Sequence, residues 1–338
     1  MNMSFGESLI SSRIIVLGTI NIDHFAYVDK FPEIGESVGD ASYYKDYGGK
    51  GLNIAVALKR LGLEVSLIGC VGDDSYGSEI LGFLRSENID ISNIKISRGI
   101  TGTAFVIVQR DGRKSIISVP GTNYSVSPHD IDQIFASSRK YDLLVVTLGI
   151  NLESVKKALE ISKNRGVKTI LIPSPIRKIS MDLLENILLL SDFIILNETE
   201  FKRIFLDTLR ISTSNDLVRA IRSIKLFEDK TIIITRSEYG SVIYDRDKVY
   251  EIPSHRRSTL SIIDTTGAGD AFVAGFIYGY LCTGSLEISG ILGSLNAYLK
   301  ISRRGSSSAM PYINELVNAL KSFNMRNILG TLHQKRCL

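Results

Sequence analysis

The sequence predicts an α/β fold: a mainly parallel sheet flanked by helices, with a small β-sheet lid. Three observations predict it. Short Ile- and Val-rich runs recur along the 338 residues, segments of helical spacing separate most of them, and two strand-like stretches have no helix between their arms.

The runs are RIIVLG (13–18), VSLIGCVG (65–72), LLVVTL (143–148), TILIPSP (169–175), FIILN (193–197) and TIIITR (231–236). Continuous apolar runs of this length suit strands buried on both faces. Between them, GLNIAVALKRLG (51–62), LESVKKALEISKNRG (152–166) and NDLVRAIRSIKLFEDK (215–230) carry the spacing of amphipathic helices. Such alternation argues a parallel sheet with right-handed crossovers and ligands at the carboxyl ends of its strands. TGTAFVIVQRDGRKSIISVPG (101–121) instead alternates apolar and polar residues around Asp111-Gly112, a two-residue hairpin signal. Residues 24–47 are similarly strand-like, punctuated by Pro32 and Gly35. The two stretches read together as the lid, or separately as surface hairpins without a role. The final NILGTLHQKRCL reads as a frayed basic tail.

Composition removes several function classes. Lys plus Arg number 40 against 36 Asp plus Glu, and the dispersed net charge of +4 makes no basic stripe for nucleic acid. The apolar runs fall short of the roughly 18 to 20 residues that span a bilayer. The opening MNMSFGESLISSRIIVLG has no basic start, apolar core and cleavage site in series, so secretion is not expected. Cys70, Cys282 and Cys337 lie too far apart for a disulfide framework or a zinc site, which suits a reducing, cytoplasmic setting.

Chemistry concentrates where side chains are stripped away. In IIDTTGAGDAF (262–272) an extended run meets a long apolar helix, which sets Gly267, Ala268 and Gly269 at a helix start. Free N–H groups and the positive end of the dipole collect there, and an anion can come close. An ordinary tight turn, with Asp270 offsetting the dipole, fits the same letters. Phe272 rules out the dinucleotide fingerprint, and GGKGLN lacks the Ser or Thr of a Walker loop. YGGKGLNIAVALKRLG (47–62) is a second glycine-rich helix start, with Gly49 admitting a ligand and Lys50 and Asn53 able to bond a polyhydroxylated one. It equally fits a plain entry to a packing helix. In GTINID (18–23), Asn21 and Asp23 share one side of an extended chain and suit sugar hydroxyls. In NETE (197–200), Asn197 and Glu200 fit either a water-mediated Mg²⁺ contact or a capping box.

Taken together, DTTGAGDAF and GGKGLNIAVALKRLG, with GTINID, VPGTNYSVSP and ILNETE, resemble the ribokinase-like (PfkB) family of carbohydrate and nucleoside kinases from about residue 13 to 312. The resemblance implies a three-layer α/β/α kinase domain over 13–322, lid segments at about 24–47 and 100–121, and a tail at 323–338. It implies ATP as co-substrate with Mg²⁺, and transfer to a small sugar, ribose foremost. A nucleoside acceptor and a non-catalytic sugar-binding regulator are the rivals. By the same resemblance Asp270 is the base, and Gly267, Ala268 and Gly269 form the anion hole. Asn21, Asp23, Gly49, Lys50 and Asn53 surround the sugar, while Asn197, Thr235, Gly240 and Gly269 face the nucleotide. Glu200 positions Mg²⁺ through water. Asp264, Thr266 and the loop KISRRGSSSA, with Gly305, match a monovalent-cation site for K⁺. The chain departs from the family twice: TRSEYG puts Ser237 where the nucleotide turn has a glycine, and Gly149 stands where ribokinases carry a sugar-binding glutamate. Exposed lid edges predict a homodimer paired through the lids.

Overall fold

All six Ile- and Val-rich runs form strands of one sheet in the computed structural model, which describes residues 12–136, 140–175, 179–205, 213–255 and 261–338. The chain opens with β1 (Arg13–Leu17), β2 (Asn21–Val28), β3 (Ser42–Gly48), α1 (Lys50–Arg60), β4 (Glu64–Gly72) and α2 (Ser75–Ser86). Next come β5 (Ile94–Ser97), β6 (Gly102–Gln109), β7 (Lys114–Val119) and α3 (Pro128–Ala136). A regular alternation follows, through β8 (Leu143–Thr147), α4 (Leu152–Asn164), β9 (Lys168–Ile172), α5 (Met181–Leu189), β10 (Phe193–Asn197), α6 (Glu198–Phe205), α7 (Ser214–Ser223) and β11 (Thr231–Thr235). The hairpin β12 (Ser241–Asp245) and β13 (Lys248–Ile252) precedes α8 (Ala268–Thr283), α9 (Leu286–Lys300), α10 (Ile313–Ser322) and α11 (Arg326–Gln334).

The main sheet runs β13-β12-β11-β10-β9-β8-β1-β4-β5, parallel from β11 to β5 and antiparallel at the β12–β13 edge. Its strands are apolar throughout because both faces are covered. Ile14 and Val16 of β1 pack with α1, α8 and α9, whereas Ile15 and Leu17 pack with α3, α4, α5 and α7. Period-two alternation thus serves two cores instead of one core and solvent.

The second sheet is the lid, in the order β3-β2-β6-β7. Its inner face buries Phe25, Ala104, Val106 and Val108, and β6 alternates accordingly. Residues 24–47 hold two strands separated by an irregular span, and β2 pairs parallel with β6. The hairpin at Asp111-Gly112 has three loop residues, not two: the Gly112 amide donates to the Gln109 carbonyl at 2.8 Å and the Gln109 amide to the Arg113 carbonyl at 2.8 Å. Gly112 takes φ +84°, the left-handed residue that closes a three-residue turn. The expected frayed tail is also corrected. Residues 326–334 form α11, Leu332 is buried, and the Tyr278 hydroxyl donates to the Cys337 carbonyl at 2.7 Å. Leu, Ile and Met side chains spaced along this segment have the α8 and α10 surface to cover, and that burial outweighs its basic character.

Helix α8 is apolar on nearly every side because α9 packs directly on its glycines. A Cβ at Gly275 would lie 2.5 Å from the Leu292 carbonyl oxygen. Backbone cannot retreat as a flexible side chain can, so Gly275→Val should cost about 1–3 kcal/mol in spite of any gain in helix propensity. Urea unfolding measures this directly; an unchanged midpoint would mean that the two helices do not meet so closely.

Candidate active site

The carboxyl ends of the parallel strands β1, β8, β10 and β11 lie along one edge of the sheet, and the predicted residues fall on the segments there, on the lid and at the start of α8. Gly267 caps α8 with φ +76°, a left-handed turn natural to glycine, and a Cβ at Gly269 would meet nothing within 4 Å. The Ala268 amide turns back to the Thr265 carbonyl at 3.2 Å, so the amides of Gly267 and Gly269 are the donors this turn offers a ligand. Asp270, in the first turn, is buried. Asn53 Nδ2 donates to its Oδ2 at 2.8 Å, and Lys50 Nζ lies 3.4 Å from its Oδ1.

Lys50 and Asn53 reach Asp270 because Gly49 turns with φ +87° into α1. A Cβ there would sit 2.5 Å from the Thr19 carbonyl oxygen, so the turn passes close against the end of β1. The Lys50 amide donates to Thr19 Oγ1 at 2.9 Å and fixes the helix start. Burial pulls the Lys50 pKa down, but the carboxylates of Asp270 and Glu200 outweigh it and hold the ammonium above its usual range.

On the lid side, Asn21 Oδ1 accepts from Asn123 Nδ2 at 2.8 Å. Asp23 Oδ2 accepts from Ser306 Oγ at 2.6 Å, while its Oδ1 is buried without a partner. Burial raises the Asp23 pKa to about 7; the Ser306 bond opposes this, and the negative charges of Asp46 and Asp270 add to it. Asp46 is buried beside it, accepting from the Ser306 amide at 2.6 Å and Ser308 Oγ at 2.8 Å. An orphaned acceptor on a carboxylate of this kind suits the hydroxyls of an incoming polyol.

Asp264 is fully buried. Its Oδ2 accepts from the Tyr27 hydroxyl at 2.9 Å and the Gly305 amide at 3.1 Å, and its Oδ1 accepts from the Thr266 amide at 2.8 Å. The three residues expected around a monovalent cation are therefore together. The Asp264 carbonyl, however, already accepts from Lys300 Nζ at 3.1 Å. Burial lowers the Lys300 pKa to about 8, against the opposing pull of Asp264. A second ammonium, that of the half-buried Lys114 on the lid, donates to the Thr265 carbonyl at 3.0 Å, and its pKa is lowered to about 8 by desolvation, against the same carboxylate.

Asn197 and Thr235 are register partners at the ends of β10 and β11. Asn197 Oδ1 accepts from the Glu200 amide at 2.8 Å and Glu200 Oε2 from the Asn197 amide at 3.0 Å, the reciprocal capping geometry. Glu200 nevertheless remains close enough to act on Lys50. Ser237 adopts φ +49°, so the backbone keeps the conformation a glycine would take, and Gly240, at φ +86°, passes within contact of the Ile252 carbonyl. At Gly149, the second departure from the family, a Cβ would lie 2.3 Å from Thr19 Cγ2 and 3.0 Å from Pro175 Cδ.

Sequence reasoning did not single out Asp46, Lys114, Asn123, Lys300 or Ser306. Asn123, Lys300 and Ser306 lie inside stretches that it quoted for resemblance alone. Lys114 and Asp46 sit on the lid strands β7 and β3, and their partners Thr265 and Ser306 lie far away in sequence.

A family model described as pfkB family carbohydrate kinase matches residues 11–313. A ribokinase from Haemophilus influenzae is 33% identical over 312 residues, covering 91% of this chain and 98% of that protein. A deoxyribokinase from Salmonella typhi is 30% identical over 304 residues, covering 89% and 96%. The crystal structure of a ribokinase from Cryptococcus neoformans in complex with ADP superposes with a TM-score of 0.77 at 26% identity, over 91% of this chain and 99% of that one. Match and geometry agree from the first strand to the helix after the 300–309 loop, and the chain belongs to the pfkB family of carbohydrate kinases.

Proposed function

We propose that this chain transfers the γ-phosphoryl group of ATP to a hydroxyl of a small sugar, with ribose the favoured acceptor. The observation that carries the reading is the meeting of Asp270, Lys50 and Asn53 beside the bare start of α8. Asp270 takes the acceptor's proton. Asn53 holds one carboxylate oxygen and Lys50 sits by the other, so the base is aimed before the sugar arrives. The amides of Gly267 and Gly269, flanking Ala268, bond the oxygens on which charge accumulates in the transition state.

Asn21, Asp23 and Gly49 complete the sugar side with Lys50 and Asn53, and Asn197, Thr235, Gly240 and Gly269 form the nucleotide side. Glu200 suits Mg²⁺, which is commonly held by one or two carboxylates with substrate phosphates and waters. Bound there, the ion would neutralise phosphate charge, with Glu200 holding it through water and Asn197 keeping Glu200 in place. The similarity to a ribokinase and a deoxyribokinase at 30% identity or more favours a sugar over a nucleoside. The three cysteines are free and no described helix could cross a membrane, which supports a cytoplasmic setting.

ADP release with ribose, deoxyribose, fructose, adenosine and cytidine tests the reading. Ribose or deoxyribose should lead, Asp270→Asn should lower turnover by about 10² to 10⁴ with ATP affinity nearly unchanged, and near-normal turnover in that variant would refute the role of the base.

The raised pKa of Asp23 fixes a pH dependence. Sugar hydroxyls donate to the ionised carboxylate, so acceptor KM should fall by about tenfold as pH climbs from 6 to 8 through the value near 7. Without sugar the sign reverses for stability: between about pH 4 and 7 the native state retains a proton that the unfolded chain has released, so melting temperature should decline over that range. A KM flat across this window would remove Asp23 from the sugar site.

The outer lid face exposes Tyr43, Phe105 and Ile117, with His24 stacked on the first two. Phe105 and Ile117 are register partners, so these side chains form one strip, suited to pairing with a second copy. Sedimentation at micromolar concentration should give a dimer that Phe105→Asp dissociates; a monomeric wild type would overturn it.

A further inference from the structure

We propose that the Lys300 ammonium is the built-in monovalent cation of this kinase, standing in the place where a free K⁺ was expected and making the enzyme independent of that ion. The inference rests on the kinase reading for its purpose and on three structural observations for its content. First, Lys300 is wholly buried, and its Nζ donates to two backbone carbonyls, Asp264 at 3.1 Å and Arg303 at 3.3 Å. These belong to the two segments, 264–266 and 300–309, that the resemblance matched to the cation site. Second, Lys300 ends α9, where the negative pole of the helix favours a cation, and its Cε lies 3.7 Å from a Cβ built on Gly267. The charge is therefore set directly under the turn that offers its amides to an anion. Third, Lys114 brings another ammonium to the Thr265 carbonyl between them. A free K⁺ would compete with Lys300 for the Asp264 carbonyl and meet repulsion from both lysines.

A tethered ammonium supplies the same elements as a bound ion: a positive charge near the migrating phosphoryl group and a cross-link between the two carbonyl-bearing segments. It differs in two respects. Dialysis cannot remove it, and it cannot discriminate among ions by radius.

The experiment compares KCl with tetramethylammonium chloride at equal ionic strength, reading both turnover and melting temperature. Wild type should change by less than about twofold in turnover and stay within about 1 °C. Lys300→Ala opens the carbonyls to solvent ions, and K⁺ should raise its turnover by about tenfold or more and its melting temperature by several degrees. A merely structural lysine would give a variant damaged alike in both salts. Wild type activated about tenfold by K⁺, or a Lys300→Ala protein indifferent to it, would overturn the proposal. Should Lys300→Ala fail to fold without K⁺, Lys300→Met keeps the stem. Refolding of either variant on adding K⁺ supports the inference, and failure of both in both salts counts against it. A chain inactive on every acceptor in both salts would instead tell against the kinase reading, with the melting temperatures still deciding on Lys300.

Discussion

One buried carboxylate ties the molecule's three working parts together. Asp264 accepts from Tyr27 on the lid, from Gly305 on the loop after α9, and from Thr266 in the turn that starts α8. An isolated carboxylate so deeply buried would be prohibitive; three donors aimed at it make it tolerable and make the arrangement specific. The Tyr27 hydroxyl also accepts from the Gly305 amide, which closes the group into a small network. Because each donor comes from a different segment, none of the three can shift alone without leaving Asp264 short of a partner.

The same logic of dense, paired charge extends outward. Asp23, Asp46 and Asp270 lie close enough to act on one another, and Lys50, Lys114 and Lys300 stand among them. Repulsion from Asp46 and Asp270 adds to burial in lifting Asp23, against the Ser306 hydrogen bond. Lys114 and Thr265 also latch the lid hairpin down, with Thr265 Oγ1 donating to the Gly112 carbonyl at 3.0 Å. The extra residue in the hairpin loop therefore has a purpose, since it presents that carbonyl to the turn beneath it.

How much of this was legible in the letters follows from what each feature depends on. The parallel sheet was legible because β1, β4, β8, β9, β10 and β11 are buried on both faces, and burial writes itself as an unbroken apolar run. The β12–β13 edge was not, because an antiparallel edge hairpin carries a weaker pattern. Gly267, Gly269 and Asp270 could be found because a missing side chain before a carboxylate is a local signal. Asp46 and Lys300 could not: a charged residue looks like solvated surface until the fold buries it, and their partners Ser306 and Asp264 lie far off in sequence. α11 was misread for the opposite reason, since its basic residues obscured the single buried Leu332.

The departure at Ser237 shows how such a site tolerates change. A non-glycine residue at φ +49° carries strain of roughly 1 kcal/mol, and serine is small enough to accept it. Its neighbours enforce the conformation: the Arg236 amide donates to the Gly240 carbonyl at 2.7 Å, and the Arg236 side chain is held by Glu198 at 2.9 Å and Ser214 at 2.9 Å. Those bonds outweigh the strain, so the turn keeps the backbone course a glycine would give. The serine thus adds a hydroxymethyl group to a turn whose backbone stays at positive φ. The same argument explains Gly149, where the missing glutamate is matched by Thr19 and Pro175 closing over the backbone. In both places neighbouring groups fix the course of the backbone: the hydrogen bonds around Arg236 at the first, the packing of Thr19 and Pro175 at the second.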